Sequence, residues 1–126
     1  MVATLSASQL AHRQATEASV REMAELLQAT LSRQVTAYIT GVKDGKTVSR
    51  WASGEVTHIR DFTIEQRLRT AYQIAKLLLT VDAAPTVRAW YIGMNPSLAD
   101  ISPAQTIREG HFNDALEAAQ EFLAYG

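Results

Sequence analysis

At 126 residues and 47% hydrophobic composition, the chain supports one compact domain, or two very small ones, and excludes disorder throughout. It has no cysteine, which removes disulfides, thiolate metal ligands and a cysteine nucleophile from consideration. The net charge of −1 hides an asymmetry, +2 over residues 1–60 and −3 over residues 61–126, so the two halves are expected to meet different partners.

Apolar residues recur at helical spacing almost everywhere and β-branched alternation is rare, so an all-α fold of five or six helices is expected. Residues 1–18 have weak periodicity and read as an arm or a frayed helix, with Ser6 and Gln9 able to form a capping box. From Ser19, boxed with Glu22, the residues Val20, Met23, Ala24, Leu27 and Leu31 share one face and predict the first core helix. A short helix comes next, from Ser32 through Ala37 and Ile39 to Gly41, and Asp44 caps another over Gly45–Ser53 that Gly54 stops. Val56–Phe62 (VTHIRDF) reads equally as a loop or a short extended piece.

Beyond this point the helices lengthen. Thr63 with Gln66 predicts a capping box for a helix to about Leu79 that buries Ile64, Leu68, Ala71, Tyr72, Ala75 and Leu79. Pro85 suits the first turn of a helix carrying Val87, Ala89 and Trp90, ended by Gly93 and Asn95-Pro96. Ser102-Pro103-Ala104-Gln105 starts a short helix ended by Gly110. The last helix, Phe112–Leu123, has one apolar stripe and an acidic opposite face. The boundaries so drawn are residues 1–18, 19–62 and 63–126.

A helix-turn-helix requires a small residue in its first helix, a turn glycine, and two apolar anchors one turn apart on its second helix. Ala37, Gly41, Val48 and Trp51 supply them. With Val48 and Trp51 inward, Lys46, Thr47, Ser49 and Arg50 fall on or near the outer face, with Lys43 in the turn. Arginine pairs bidentately with guanine, lysine meets phosphate or guanine, and a hydroxyl bonds either phosphate or a base edge. The five basic residues Arg33, Lys43, Lys46, Arg50 and Arg60, set against Asp44 and Glu55, suit a phosphate backbone. Two departures stand out: the run from Gly41 to Val48 is one residue longer than the tightest such turn, and Thr40 replaces an aliphatic residue before the glycine.

The segment TVSRWASGE resembles the recognition helix of Xre-type proteins, where a valine, a tryptophan three residues on and a glycine three further recur. The second half is more specific: a long helix, Val87-Arg88-Ala89-Trp90, Asn95-Pro96 with Leu98, Ser102-Pro103, and a short helix ended by Gly110 before an amphipathic one. That order resembles the toxin-binding domain of the Xre/MbcA/ParS antitoxins, and the two modules together span residues 20–126. The resemblance implies an Xre-like helix-turn-helix module followed by a small helical toxin-binding module. It implies an antitoxin of a type II pair that neutralises a RES-domain, NAD-consuming toxin and represses its own operon through operator DNA. In such pairs the terminal region reaches toward the toxin's cleft, which designates Phe122, Leu123, Tyr125 and Gly126, with Glu117 and Glu121 beside them. An acidic helix complements a cleft that binds a pyrophosphate. Trp90, Asn95, Pro96 and Pro103 are read chiefly as structural anchors.

Catalysis by the chain itself is the least supported class. His12, His58 and His111 form no metal-spaced pair, the carboxylate pairs Glu22/Glu25 and Glu117/Glu121 have the spacing of solvated helix faces, and there is no phosphate-binding glycine loop or nucleophile elbow. No metal or cofactor is expected. No apolar run approaches the roughly 20 residues that cross a bilayer, and the opening stretch lacks a secretory apolar core, so a cytoplasmic protein without a membrane partner is expected. A homodimer within a larger hetero-oligomer with the toxin is expected, because helix-turn-helix proteins pair half-sites. Two alternatives remain: a free-standing helix-turn-helix transcriptional regulator, and a pure protein inhibitor whose helix-turn-helix is degenerate.

Overall fold

Helix-forming sequence and side-chain caps alternate along the chain, and the computed structural model, which describes residues 4–125, is all-helical. Its helices are α1 (Ala7–Glu17), α2 (Val20–Leu31), α3 (Arg33–Thr40), α4 (Gly45–Ala52), α5 (Phe62–Leu78), α6 (Ala84–Ile92), α7 (Pro103–Arg108) and α8 (Phe112–Tyr125), with a 3₁₀ turn at Pro96–Leu98. Residues 56–61 are a loop that drops Ile59 into the interior.

Polar caps define most helix starts. Ser6, Ser19, Ser32 and Ser102 each accept a backbone N–H with the side-chain oxygen, as do Asp44 and Asp61. The cap of α5 differs from the expected Thr63–Gln66 box. Asp61 starts the helix instead, one carboxylate oxygen accepting Thr63 N–H at 2.8 Å and Ile64 N–H at 3.2 Å. An ionised acceptor two residues upstream outcompetes a hydroxyl because it also meets the positive helix end. Ser32 joins α2 to α3 by itself, at φ 93° and ψ 158°, a region costly for a residue with a Cβ. Its hydroxyl accepts Val35 N–H and its carbonyl accepts Thr36 N–H, bonds that hold this sharp joint.

The segment read as an arm or frayed helix is a packed helix. Residues 7–17 carry the full Ser6–Gln9 box and lie along α5, burying Ala11 and Ala15, with Ala18 buried just beyond. Small residues explain the weak periodicity: alanine allows close helix approach while adding little to an apolar pattern. Arg69 of α5 anchors the other end, donating to the carbonyls of Ala15 and Ala18 (3.2 Å to the latter) while pairing with Glu65 at 2.9 Å.

Helix α5 is the axis, packing against α1, α2, α3, α7 and α8, while α6 reaches α2 and α7 reaches α3. One cluster of buried side chains therefore runs from Ala11 to Ala119, through Met23, Leu27, Ile39, Trp51, Leu68, Tyr91 and Ile107. That cluster draws on residues from both sides of the boundary expected between residues 62 and 63. Tyr91 is fully buried and its hydroxyl donates to the Ala71 carbonyl at 2.6 Å, tying α6 to α5.

Both ties to α5 can be measured. Arg69→Ala leaves two helix-end carbonyls without their donor and should lower stability by about 2 kcal/mol in denaturant unfolding, with Arg69→Lys recovering only part because one ammonium lacks the guanidinium fork. Burial pushes the Tyr91 hydroxyl well above its ordinary value, so the folded chain keeps a proton that the unfolded chain releases. Stability should accordingly fall above about pH 10, at up to about 1.4 kcal/mol per pH unit from this group. Tyr91→Phe should remove that share of the slope, while costing about 1 kcal/mol at neutral pH for the lost hydrogen bond.

Candidate functional site

Two surfaces gather the side chains singled out by sequence. The first is built on α3, a four-residue turn and α4. Gly41 takes φ 85° and donates its N–H to the Ala37 carbonyl at 2.9 Å, closing α3 in the left-handed conformation that glycine adopts at least cost. A Cβ there would lie 2.9 Å from Arg67 Nη1, which itself donates to the Thr40 carbonyl at 3.2 Å. Thr40 is fully buried, and its hydroxyl donates to the carbonyls of Thr36 and Ala37 at 2.9 and 3.2 Å. That internal satisfaction is how a hydroxyl occupies a position suited to an aliphatic residue.

On α4, Val48 and Trp51 are buried against α2 and α3 while Lys46 and Arg50 are exposed, with Lys43 exposed in the turn and Thr47 half-buried. Ser49 departs from the expected outward placement. Its hydroxyl donates to Gln28 Oε1 at 3.1 Å and accepts from Arg33 Nη1 at 3.3 Å, so it serves the packing of α4 on α2 and α3. Arg33, one of the five basic residues expected to suit a phosphate backbone, lies beside α4 itself. Its aliphatic stem lies against Gly45, where an added Cβ would stand 2.8 Å from Arg33 Cγ. The separation of 16 positions from Arg33 to Ser49 conceals this neighbour relation in sequence, and the sharp joint at Ser32 creates it.

The second surface is a groove between α6, the loop 95–101 and α8. Asn95 shapes the loop: its side-chain oxygen accepts Ser97 N–H, and its carbonyl accepts the N–H of both Leu98 and Asp100, all at 2.9 Å. Ala99 and Asp100 then pass through successive left-handed conformations, φ 57° and 65°, before Ile101 pairs back with Asn95. Ser97 is thereby presented to α8, where its hydroxyl donates to Glu121 Oε2 at 2.5 Å.

Trp90 forms one wall, half-buried, edge-on to Tyr91 at 5.3 Å and to Phe122 at 6.4 Å between ring centroids. Pro96, Met94 and Tyr125 complete the apolar lining, with Met94 82% and Tyr125 91% exposed. The expected toxin-binding set therefore divides. Phe122 and Leu123 are half-buried against the core, Glu117, Glu121 and Tyr125 are exposed, and Gly126 lies outside the described residues. Met94 and Ser97 were absent from that set; only the fold of the loop brings them to α8. Pro103 is buried at the start of α7.

No group of three or more His, Cys, Asp or Glu side chains among the described residues is arranged to hold a metal ion. No helix among them is long and apolar enough to cross a membrane. No family model matches the chain, and neither a curated protein nor a solved structure matches it.

The division within α8 has a measurable consequence. Phe122→Ala removes a ring packed on Trp90 and should destabilise by about 2 kcal/mol, whereas Tyr125→Ala should change stability by less than about 0.5 kcal/mol. Equilibrium unfolding in urea of the two variants checks this.

Proposed function

We propose that this chain is an antitoxin of the Xre/MbcA/ParS type, which neutralises a RES-domain, NAD-consuming toxin and binds its own operator. The observation that supports this reading most is the convergence of residues far apart in sequence. Trp90, Asn95 and Pro96, which carry the family resemblance, line one open groove with Glu121, Phe122 and Tyr125 of the terminal helix. Exposed aromatic and thioether side chains beside solvent-facing carboxylates suit a protein-binding surface rather than a core, and an electropositive cleft is its natural counterpart. Tyr125 and the acidic face of α8 enter or cover the toxin's cleft in this proposal.

The α3–turn–α4 unit supplies the regulatory half. Lys46 and Arg50 face solvent on the side opposite Val48 and Trp51, with Lys43 and Arg33 at the flanks, an arrangement suited to the major groove and its phosphates. Its natural working form is a dimer in the cytoplasm that pairs two half-sites, joined with toxin in a larger assembly. One observation favours a second reading, a protein inhibitor without DNA affinity: Ser49 is held by Gln28 and Arg33 and leaves only Lys46, Thr47 and Arg50 on α4 for base or phosphate contact.

The test of the leading reading uses a purified RES-domain toxin and an NAD-consumption assay. The chain should inhibit, and Tyr125→Ala should raise the concentration needed by about tenfold, a loss of about 1.4 kcal/mol. Undiminished inhibition by that variant would sink cleft occlusion, and no inhibition by wild type would sink the antitoxin reading. On the promoter fragment of the same operon, Lys46→Ala/Arg50→Ala should weaken binding and lower the salt slope by about two. Equal binding by wild type and variant removes α4 as the reading face, and no binding by wild type selects the protein-inhibitor reading.

A further inference from the structure

The groove between α6 and α8 has a chemistry of its own, beyond its use as a covered surface. Its lining is apolar and adaptable: the half-buried Trp90 ring, with Met94 beyond the end of α6 and Tyr125 on α8 almost wholly in water. Thioether and aromatic side chains in this setting accept a large apolar anchor of variable shape. At its rim stands Glu121, fixed through one carboxylate oxygen by the Ser97 hydroxyl, with the other oxygen unengaged by any partner among the described residues.

Glu121 also belongs to a charged stripe. Asp114, Glu117 and Glu121 succeed one another at i, i+3 and i+7 on the exposed side of α8, and all three are exposed. None of the three is in an ion pair among the described residues. Helix α8 contains no lysine or arginine, and no basic side chain lines the groove. Like charges at this spacing repel, and a carboxylate near a helix C-terminus opposes the helix dipole. The free protein thus carries an electrostatic cost on this face that a cation would relieve.

We propose that the groove is a receptor for a segment of the partner that carries an aromatic or large aliphatic anchor flanked by arginine. The anchor packs against Trp90 and Met94, and the arginine pairs with Glu121. Arginine fits better than lysine because its planar fork meets a carboxylate and stacks on an aromatic face such as Tyr125. The inference rests on the antitoxin reading for the identity of the partner, and it makes the interaction reciprocal: the chain receives a partner segment as well as covering the partner's cleft.

The probe is a library of short random peptides displayed against the full chain, with the same selection repeated on Glu121→Lys and on Met94→Glu. Both substitutions are at exposed positions, and circular dichroism confirms the fold before selection. The expected peptides carry an aromatic or large aliphatic residue with arginine within two positions. Their binding should weaken with salt and fall about tenfold or more in each variant. Acidic or uncharged consensus peptides, binding indifferent to both substitutions, or no enrichment would each overturn the proposal. So would a wild-type dimer, measured by sedimentation, that Met94→Glu dissociates, because a second copy would then own the groove. The two readings fail separately. A chain that selects the expected peptides but does not inhibit a RES-domain toxin retains the receptor and loses the antitoxin role. A chain that inhibits a RES-domain toxin but enriches no such peptide retains the antitoxin role and loses the receptor.

Discussion

The fold depends on guanidinium groups placed at the carbonyl ends of helices. A helix leaves its last carbonyls without intrahelical donors, and α1 and α3 solve this with arginines from distant sequence. Arg69 serves Ala15 and Ala18, Arg67 serves Thr40, and Arg108 donates to the Tyr38 carbonyl at 2.5 Å with its guanidinium 4.7 Å over the Tyr38 ring. A cation at a helix C-terminus gains from the dipole as well as the hydrogen bond, so each contact is worth on the order of 1–3 kcal/mol. These contacts join α5 and α7 to α1 and α3, and the α3–turn–α4 unit is therefore welded to the second half of the chain. Arg67 is the costly member: its Nε is buried without a partner, the one such side-chain atom among the described residues. Glycine at position 41 is what leaves its guanidinium room.

Much of the fold was legible because its determinants are local. Ser19, Ser32, Asp44 and Ser102 cap helices where the spacing predicts, and Gly41 and Gly54 stop them with positive φ. Legibility failed where a local signal competed with a stronger or a nonlocal one. Thr63 and Gln66 make a valid box, yet Asp61 is a stronger acceptor. The alanine-rich α1 reads as frayed until α5 supplies the surface that its small side chains fit and Arg69 supplies its cap.

The candidate surfaces were legible in the same uneven way. Helical phase alone separates Val48 and Trp51 from Lys46 and Arg50, because burial of one pair dictates exposure of the other. Phase could not foresee that Ser49 is engaged by Gln28 and Arg33, since that depends on α2 and α3 meeting at Ser32. In α8 the helical stripe correctly turns Phe122 and Leu123 toward the core, which leaves Tyr125 as the aromatic in solvent. Met94 and Ser97 carry no motif of their own. Their place in the groove comes from an irregular loop whose hydrogen bonds centre on Asn95.

The arginine caps also explain why charge is so unevenly displayed. Residues 61–126 contain five basic side chains, and three of them, Arg67, Arg69 and Arg108, are committed to backbone carbonyls of the first half. Such commitment leaves them unable to neutralise the carboxylates of α8, whose face is more acidic than the composition alone indicates. In the first half, by contrast, Lys43, Lys46 and Arg50 form no ion pair among the described residues and keep their charge for the surface around α4. One structural device, a cation spent on a helix end, thus both holds the two halves together and sharpens the electrostatic difference between their outer faces. That difference sets the uncommitted cations around α4 against the unpaired carboxylates of α8 on one small core.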